Sequence, residues 1–321
     1  MARRGASSVF VGGCIVLAAC NAPAQGYPSK PIRMILPFAA GAASDIVGRT
    51  VGIKLGEQLG QNLIPDNRVG QGGGLGIAAA AKAAPDGYTV LLTSPAISLV
   101  PLLYDNVAFD PIRDFVAIAR VGTIENVMVV PPSVPVKTLK DFIALARRHP
   151  GKLSFGSGGA GTTNHLANAA LMFSQKLDLL HVPYKGAALA TVALTSGEVD
   201  QVVVGVAPAL PLIRAGRVKP IVVLSEDRVA VLPDVPTSKE AGVPDFRMSI
   251  WYGLFAPAGT PQEIVARLSR ETIRALESAD LKKRLVAAGV DAWPGKADDM
   301  NRLLLSETAR YTEIIRGAKI K

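Results

Sequence analysis

Beyond residue 20 the chain has no cysteine. Cys14 and Cys20 are the only two among 321 residues, so the rest of the chain can form neither a disulfide nor a thiolate zinc site. Histidine is almost as scarce: His149, His165 and His181 are the whole supply, too few for a histidine-rich metal centre. Aromatic residues make up 5%, and no run of lysine and arginine is interleaved with them, which argues against a nucleic-acid surface despite a net charge of +9. No apolar run reaches the roughly 20 residues that a bilayer span takes. What the chain has is apolar material, 49% of its residues. That excludes wholesale disorder and suffices for one large domain or two ordinary ones.

The first residues read as an export address. Arg3 and Arg4 precede an apolar run from Val9 to Ala19, and Ala22-Pro23-Ala24 supplies an A-x-A cleavage pattern. A leader of residues 1–24 follows, after which a folded domain starts near Tyr27. Leu17-Ala18-Ala19-Cys20 also fits a lipobox, in which Cys20 would carry lipid as the first mature residue. Cleavage after Ala24 would instead discard both cysteines and, with Arg3 and Arg4 gone, lower the charge from +9 to +7.

From Tyr27 onward, short apolar runs alternate with longer helical periods, the pattern of an α/β protein. Strands are expected at 32–36, 89–93, 127–130, 153–155, 179–182, 199–204, 221–224 and 250–256; many are apolar on both faces, as buried strands are. Helical stripes run through Val47, Val51, Leu55 and Leu59, through Leu166, Ala169, Ala170, Phe173 and Leu177, and through Ile264, Val265, Leu268, Ala275 and Leu276. Pro131, Pro132 and Pro135, and later Ala241 to Pro244, mark places where the chain could pass between lobes.

Two loops have the character of anion cradles. The first, Phe38-Ala39-Ala40-Gly41-Ala42-Ala43-Ser44-Asp45, connects the first strand to the first helix with small residues that let backbone approach a ligand, and the helix start aims free N–H groups there. Helix capping by Ser44 or Asp45 explains those two residues but not the small turn. The second, Gly156-Ser157-Gly158-Gly159-Ala160-Gly161-Thr162-Thr163, again joins a strand to a helix and offers Ser157, Thr162 and Thr163 as hydroxyl donors. Its G-x-G-x-x-G spacing matches a dinucleotide fingerprint, but no acid stands at the end of the next strand, which closes on His181-Val182-Pro183. A third cluster, Gly70 to Gly76, reads as a flexible connection into an alanine-rich helix. None of the three has the Gly-Lys-Ser/Thr of a phosphate loop.

Catalytic patterns are sparse. H-E-x-x-H is absent, and Phe155 occupies the first glycine position of a G-x-S-x-G elbow around Ser157. His165 could orient Ser157 or plug the start of its helix, and Lys185 could meet an anion or be an exposed turn lysine.

The segments His181-Val182-Pro183-Tyr184-Lys185-Gly186, Ile213-Arg214-Ala215-Gly216, Leu232-Pro233-Asp234-Val235-Pro236-Thr237, Glu240-Ala241-Gly242 and Leu254-Phe255-Ala256-Pro257-Ala258-Gly259-Thr260-Pro261 occur together and in this order. In them the chain resembles the periplasmic receptors of tripartite tricarboxylate transporters, the TctC-like or Bug family. The resemblance covers essentially the whole mature chain. It implies a two-lobed periplasmic-binding-protein fold of type II, mixed sheets flanked by helices with a ligand cleft between the lobes. One lobe is expected to comprise 27–127 plus 245–321 and the other 128–244. It also implies a non-enzymatic receptor, without cofactor or metal, that closes as a monomer on a small organic acid and presents it to permease subunits in the membrane. By the same resemblance, ligand contacts are expected from Phe38, Ala39, Gly41, Ala43, Ser44 and Asp45, from Thr93, Ser94 and Asn126, and from Ser157, Gly159, Gly161, Thr162 and Thr163; the reading of the residues themselves adds His165, Lys185 and Val204.

Two departures bear on the ligand. Ala169 stands where family members commonly carry an acid, and Val204-Gly205 replaces a usual Asp-Asn pair. Without an acid to meet an ammonium group, the ligand is expected to have an apolar far end, an aromatic carboxylate among the candidates, with a dicarboxylate also in view. The competing classes are a secreted hydrolase using Ser157 and His165, and a receptor fold used for sensing instead of transport.

Overall fold

The computed structural model describes residues 26–159, 161–184 and 186–318. The leader, Cys14, Cys20 and Lys185 therefore lie outside the described residues. In chain order the elements are β1 (Ile32–Leu36), α1 (Ala43–Leu59), β2 (Leu63–Asn67), a 3-10 turn (Gln71–Gly73), α2 (Gly74–Ala81), β3 (Thr89–Thr93), α3 (Ala96–Leu103), β4 (Phe115–Ile124), β5 (Asn126–Val130), α4 (Leu139–Arg148) and β6 (Ser154–Ser157). They continue with α5 (Thr163–Gln175), β7 (Leu180–Pro183), α6 (Ala187–Ser196), β8 (Gln201–Gly205), α7 (Val206–Arg214), β9 (Lys219–Val223), β10 (Ile250–Pro257), α8 (Gln262–Glu277), α9 (Ala279–Ala287), β11 (Asp291–Gly295) and α10 (Ala297–Gly317).

These strands build two sheets of the same design. The first has the order β11-β4-β10-β3-β1-β2 and the second β7-β6-β8-β5-β9. In each, the strand next to one edge (β1 or β6) lies parallel to two neighbours, and the first strand after a crossing, β10 in the first sheet and β5 in the second, runs antiparallel to both strands beside it. Connections leave β1 and β6 toward opposite edges of their sheets, so the carboxyl ends of these strands are topological switch points. That is where open α/β sheets bind ligands.

The lobes are joined at Glu125 and Ser249. Chain direction changes sheet between Ile124 and Asn126 and returns between Val223 and Ile250. The two crossings are stitched together: Asn126 Nδ2 donates to the Met248 carbonyl at 2.7 Å, and the Glu125 carboxylate accepts from the hydroxyls of Thr123 (2.9 Å) and Ser249 (2.5 Å). Burial raises the Glu125 pKa, and these hydroxyl bonds only partly offset it.

The core follows the sheets. Ile32, Met34 and Leu36 of β1 pack with Val47, Val51 and Leu55 of α1 in the first lobe, while Phe142, Phe155, Leu166 and Leu171 fill the second. The last helix departs from the expected division of the chain. Met300 and Leu304 of α10 join a first-lobe cluster, whereas Tyr311 and Ile315 are buried in the second-lobe core and Ile314 packs on Ala169 and Ala170 of α5. A helix of 21 residues is about 30 Å long, long enough to lie on both halves.

Three strands escaped the sequence reading, β2, β4 and β11. Both β2 and β11 are edge strands containing proline, which is where proline is tolerated in a sheet. Arg120 interrupts the apolar pattern of β4, but its guanidinium stacks 3.6 Å from the Trp293 ring and donates to the carbonyls of Trp293 and Pro294.

Candidate ligand cleft

Both loops singled out in the sequence end at uncapped helices. At α1 the N-cap is Ala42, with no side-chain bond to the first turn, so neither Ser44 nor Asp45 serves as the cap. Asp45 instead holds the loop in shape: its buried carboxylate accepts from the Gly41 N–H, Arg49 Nε and Asn67 Nδ2, each at 2.9 Å. Asn67 Nδ2 also donates to the Phe38 carbonyl at 2.9 Å. Burial works against the Asp45 charge, but these donors outweigh it and its pKa falls below the usual carboxylate value.

The second loop is held by neutral groups. Ser157 is fully buried; its Oγ shares a 2.7 Å hydrogen bond with His181 Nε2 and accepts from the Gly159 N–H at 3.1 Å. The Gly161 N–H donates to His165 Nδ1 at 3.0 Å, which requires that nitrogen to be unprotonated. The rings of His165 and His181 stack with centroids 4.2 Å apart, and Phe155 stacks on His181 at 4.8 Å. Burial, aided by the neighbouring His181, lowers the His165 pKa to about 4, and burial lowers that of His181 as well. Both imidazoles are thus neutral at physiological pH.

Thr162 occupies the N-cap of α5 yet does not cap it, because its hydroxyl donates backward to the Gly159 carbonyl at 2.7 Å. The first-turn N–H groups of α5 are left for another acceptor. Buried amides hold α5 in place: Asn164 Nδ2 donates to the Val203 carbonyl on β8 at 3.2 Å, and Asn168 accepts from Gln201.

Between the lobes lies a cleft of about 480 Å³, lined by Phe38, Gly72, Ser94, Ala96, Leu99, Val100, Leu103, Tyr104 and Ile250 on one side and by Gly161, Thr162 and Thr163 on the other. That volume suits a small-molecule site. Leu103 approaches the second loop so closely that a Cβ on Gly161, whose φ is +77°, would sit 2.8 Å from its Cδ1. A larger cavity of about 690 Å³ beside the hinge is crowded with charge. Four of its arginines are paired with acids, Arg228 with Glu240, Arg247 with Glu226, Arg302 with Asp299 and Arg310 with Glu307, and the fifth, Arg120, lies on the Trp293 ring.

Of the residues expected at the ligand, the cleft brings together Phe38, Ser94, Gly161, Thr162 and Thr163. Ala39, Gly41 and Ala43 are exposed on the first loop but do not line this cavity, while Ser44 and Asp45 are buried. Thr93 is buried behind Ser94 with its hydroxyl unpartnered. Asn126 is committed to the hinge, and Val204 lies in the second-lobe core, 3% exposed, because β8 is covered there by α6 and α7 residues. Gly159 and Ser157 turn their polar groups inward, and the Ser157–His165 pairing is replaced by Ser157–His181. A hydrolytic serine would have to be accessible and paired with an oriented base; Ser157 is sealed under its loop. Missing from the sequence reading as ligand contacts were Gly72, Ala96, Leu99, Val100, Leu103, Tyr104 and Ile250. Ala96, Leu99, Val100 and Leu103 follow the 3-and-4 spacing of one face of α3, the signal that could have found them, and Tyr104 follows as the extended C-cap.

Fold and cleft together define a two-lobed solute-binding receptor, a class that is not enzymatic. The chain belongs to the tripartite tricarboxylate transporter family receptors, the TctC family, whose model matches residues 47–320; receptors of this type are periplasmic. It is 37% identical over 319 residues to the UPF0065 protein in the tcbD-tcbE intergenic region of Pseudomonas sp. strain P51, spanning 98% of this chain and 95% of that one. Among solved structures it superposes with a TM-score of 0.82 on a TctC solute-binding protein from Polaromonas without ligand, at 30% identity over 90% of this chain and 99% of that chain. Another match is R. palustris Rpa4515 with adipate, at a TM-score of 0.77 and 31% identity over 91% and 98% of the two chains.

Proposed function

We propose that this receptor captures a small organic carboxylate in the cleft and delivers it to the permease subunits of a tripartite transporter. The observation that carries the reading is the uncapped start of α5, where Thr162 and Thr163 enter the cleft opposite Phe38 and Ser94. A carboxylate there accepts the free first-turn N–H groups and meets the positive end of the helix dipole, worth about 0.3–1 kcal/mol and up to about 2 when partly buried. The adipate carried by the R. palustris neighbour supports an acid as ligand. The protein acts as a monomer in the periplasm after export on an N-terminal leader, soluble after cleavage behind Ala24 or tethered through Cys20 as the first mature residue.

Native mass spectrometry of the purified protein, followed by calorimetry against a carboxylate panel, tests the binding reading. One acid per chain is expected, with the matching amide bound at least tenfold more weakly; equal affinity for acid and amide would sink it. Deleting the gene is expected to abolish uptake of that acid, whereas loss of induction with uptake intact would make the protein a sensor. The mature mass separates the two N-termini.

A further inference from the structure

Taking the cleft as a carboxylate site, we infer that it selects a monocarboxylate whose remainder is uncharged and ring-sized, gripped between Phe38 and Tyr104. The glycine cluster read from the sequence as a flexible connection is the platform on which these rings rest. Gly72 and Gly73 form the 3-10 turn with φ of +63° and +99°. A Cβ on Gly72 would lie 3.2 Å from Tyr104 Cε2, and one on Gly73 would lie 3.2 Å from Phe38 Cζ. Both rings are thus packed onto bare backbone, their positions set by the same turn. Gly74 does likewise for α3, since a Cβ there would come within 2.9 Å of Val100 Cγ1.

The rest of the wall is aliphatic, from Leu99, Val100, Leu103 and Ile250. Among the described lining residues no side chain carries a charge; the Ser94 and Tyr104 hydroxyls are neutral, and the uncapped α5 start brings its free N–H groups together with Thr162 and Thr163. A second carboxylate at the far end of the ligand would leave water for a mostly aliphatic wall that offers it neutral hydroxyls and no cation among the described residues, which disfavours the charged form. A planar or cyclic tail exchanges water for two aromatic faces instead.

Calorimetry with a matched pair tests this: 4-methylbenzoate and terephthalate share the ring and differ in the distal group. At least tenfold tighter binding of 4-methylbenzoate is expected, with adipate weaker still. Terephthalate or adipate binding as tightly as 4-methylbenzoate overturns the inference and leaves the carboxylate receptor standing. Equal binding of 4-methylbenzamide, or failure of every acid, overturns both. Leu103→Lys, which places a cation on the wall, is expected to shift the terephthalate to 4-methylbenzoate affinity ratio at least tenfold toward terephthalate. This ratio is read within one variant, so a change in its stability does not blur the result; an unchanged ratio counts against the assigned wall. Tyr104→Ala and Phe38→Ala are each expected to weaken 4-methylbenzoate at least fivefold, and undiminished binding in both would remove the ring grip.

Discussion

The loops after β1 and β6 reach the same backbone arrangement, a small-residue turn running into an uncapped helix, by opposite electrostatic means. In the first lobe a buried anion, Asp45, gathers the Gly41 N–H, Arg49 and Asn67 around itself. In the second lobe neutral imidazoles and hydroxyls do the same work, with Ser157 on His181 and the Gly161 N–H on His165. A cradle for an anion gains by containing no anion of its own. The second loop, whose Gly161, Thr162 and Thr163 line the cleft, meets that condition; the first reaches the cleft through Phe38 and keeps its Asp45 carboxylate turned away, on Arg49.

The strongest test of this contrast is Asp45→Ala. It leaves three donors without their acceptor and is expected to lower stability by about 2–4 kcal/mol in urea unfolding. Asp45→Asn, which keeps the shape and loses the charge, is expected to cost about half as much. A loss below about 0.5 kcal/mol would show that the first loop does not depend on the anion.

Acidification separates the two loops in order. His165 is held neutral in the folded state with a pKa of about 4 against 6.5 for the free side chain, so the unfolded chain binds the proton first. Its contribution is complete above pH 6.5 and is lost as pH falls toward 4. The Asp45 pKa is depressed below 3.8, so its contribution persists until pH falls through that lower range. Hydrogen exchange near pH 4.5 is expected to show amides 161–166 loosening before amides 39–46; simultaneous loosening would erase the distinction.

Ser157→Ala removes the partner of His181 and of the Gly159 N–H, and is expected to cost about 1–2 kcal/mol. Ligand affinity should change less than threefold, because the hydroxyl is turned inward. Any turnover that disappears in this variant would restore the hydrolase reading. Thr163→Val makes the smallest change. Among the described residues nothing bonds the Thr163 hydroxyl, so stability should stay within about 0.5 kcal/mol while affinity falls three- to tenfold by titration calorimetry.

How much of this could be read in advance depends on what neighbours each residue. Strands buried on both faces, such as β3 and β8, announce themselves through unbroken apolar runs, whereas β2 and β11 carry proline and polar residues that only an edge position explains. The two cradles were visible because small residues before a helix have few other uses. Which hydroxyls face a ligand was not, since Ser157 and Thr162 spend theirs within the loop, on partners that only the folded turn brings near. The far wall stayed hidden because α3 is short and contains Pro101, so its stripe of Ala96, Leu99, Val100 and Leu103 passes for an irregular apolar stretch.

The last helix has a mechanical consequence. Bodies connected by two strands can bend toward each other and also twist. A rod seated on both, with Met300 and Leu304 in one half and Tyr311, Ile314 and Ile315 in the other, acts as a splint that restrains both motions. Any movement of one half relative to the other therefore has to carry this rod with it.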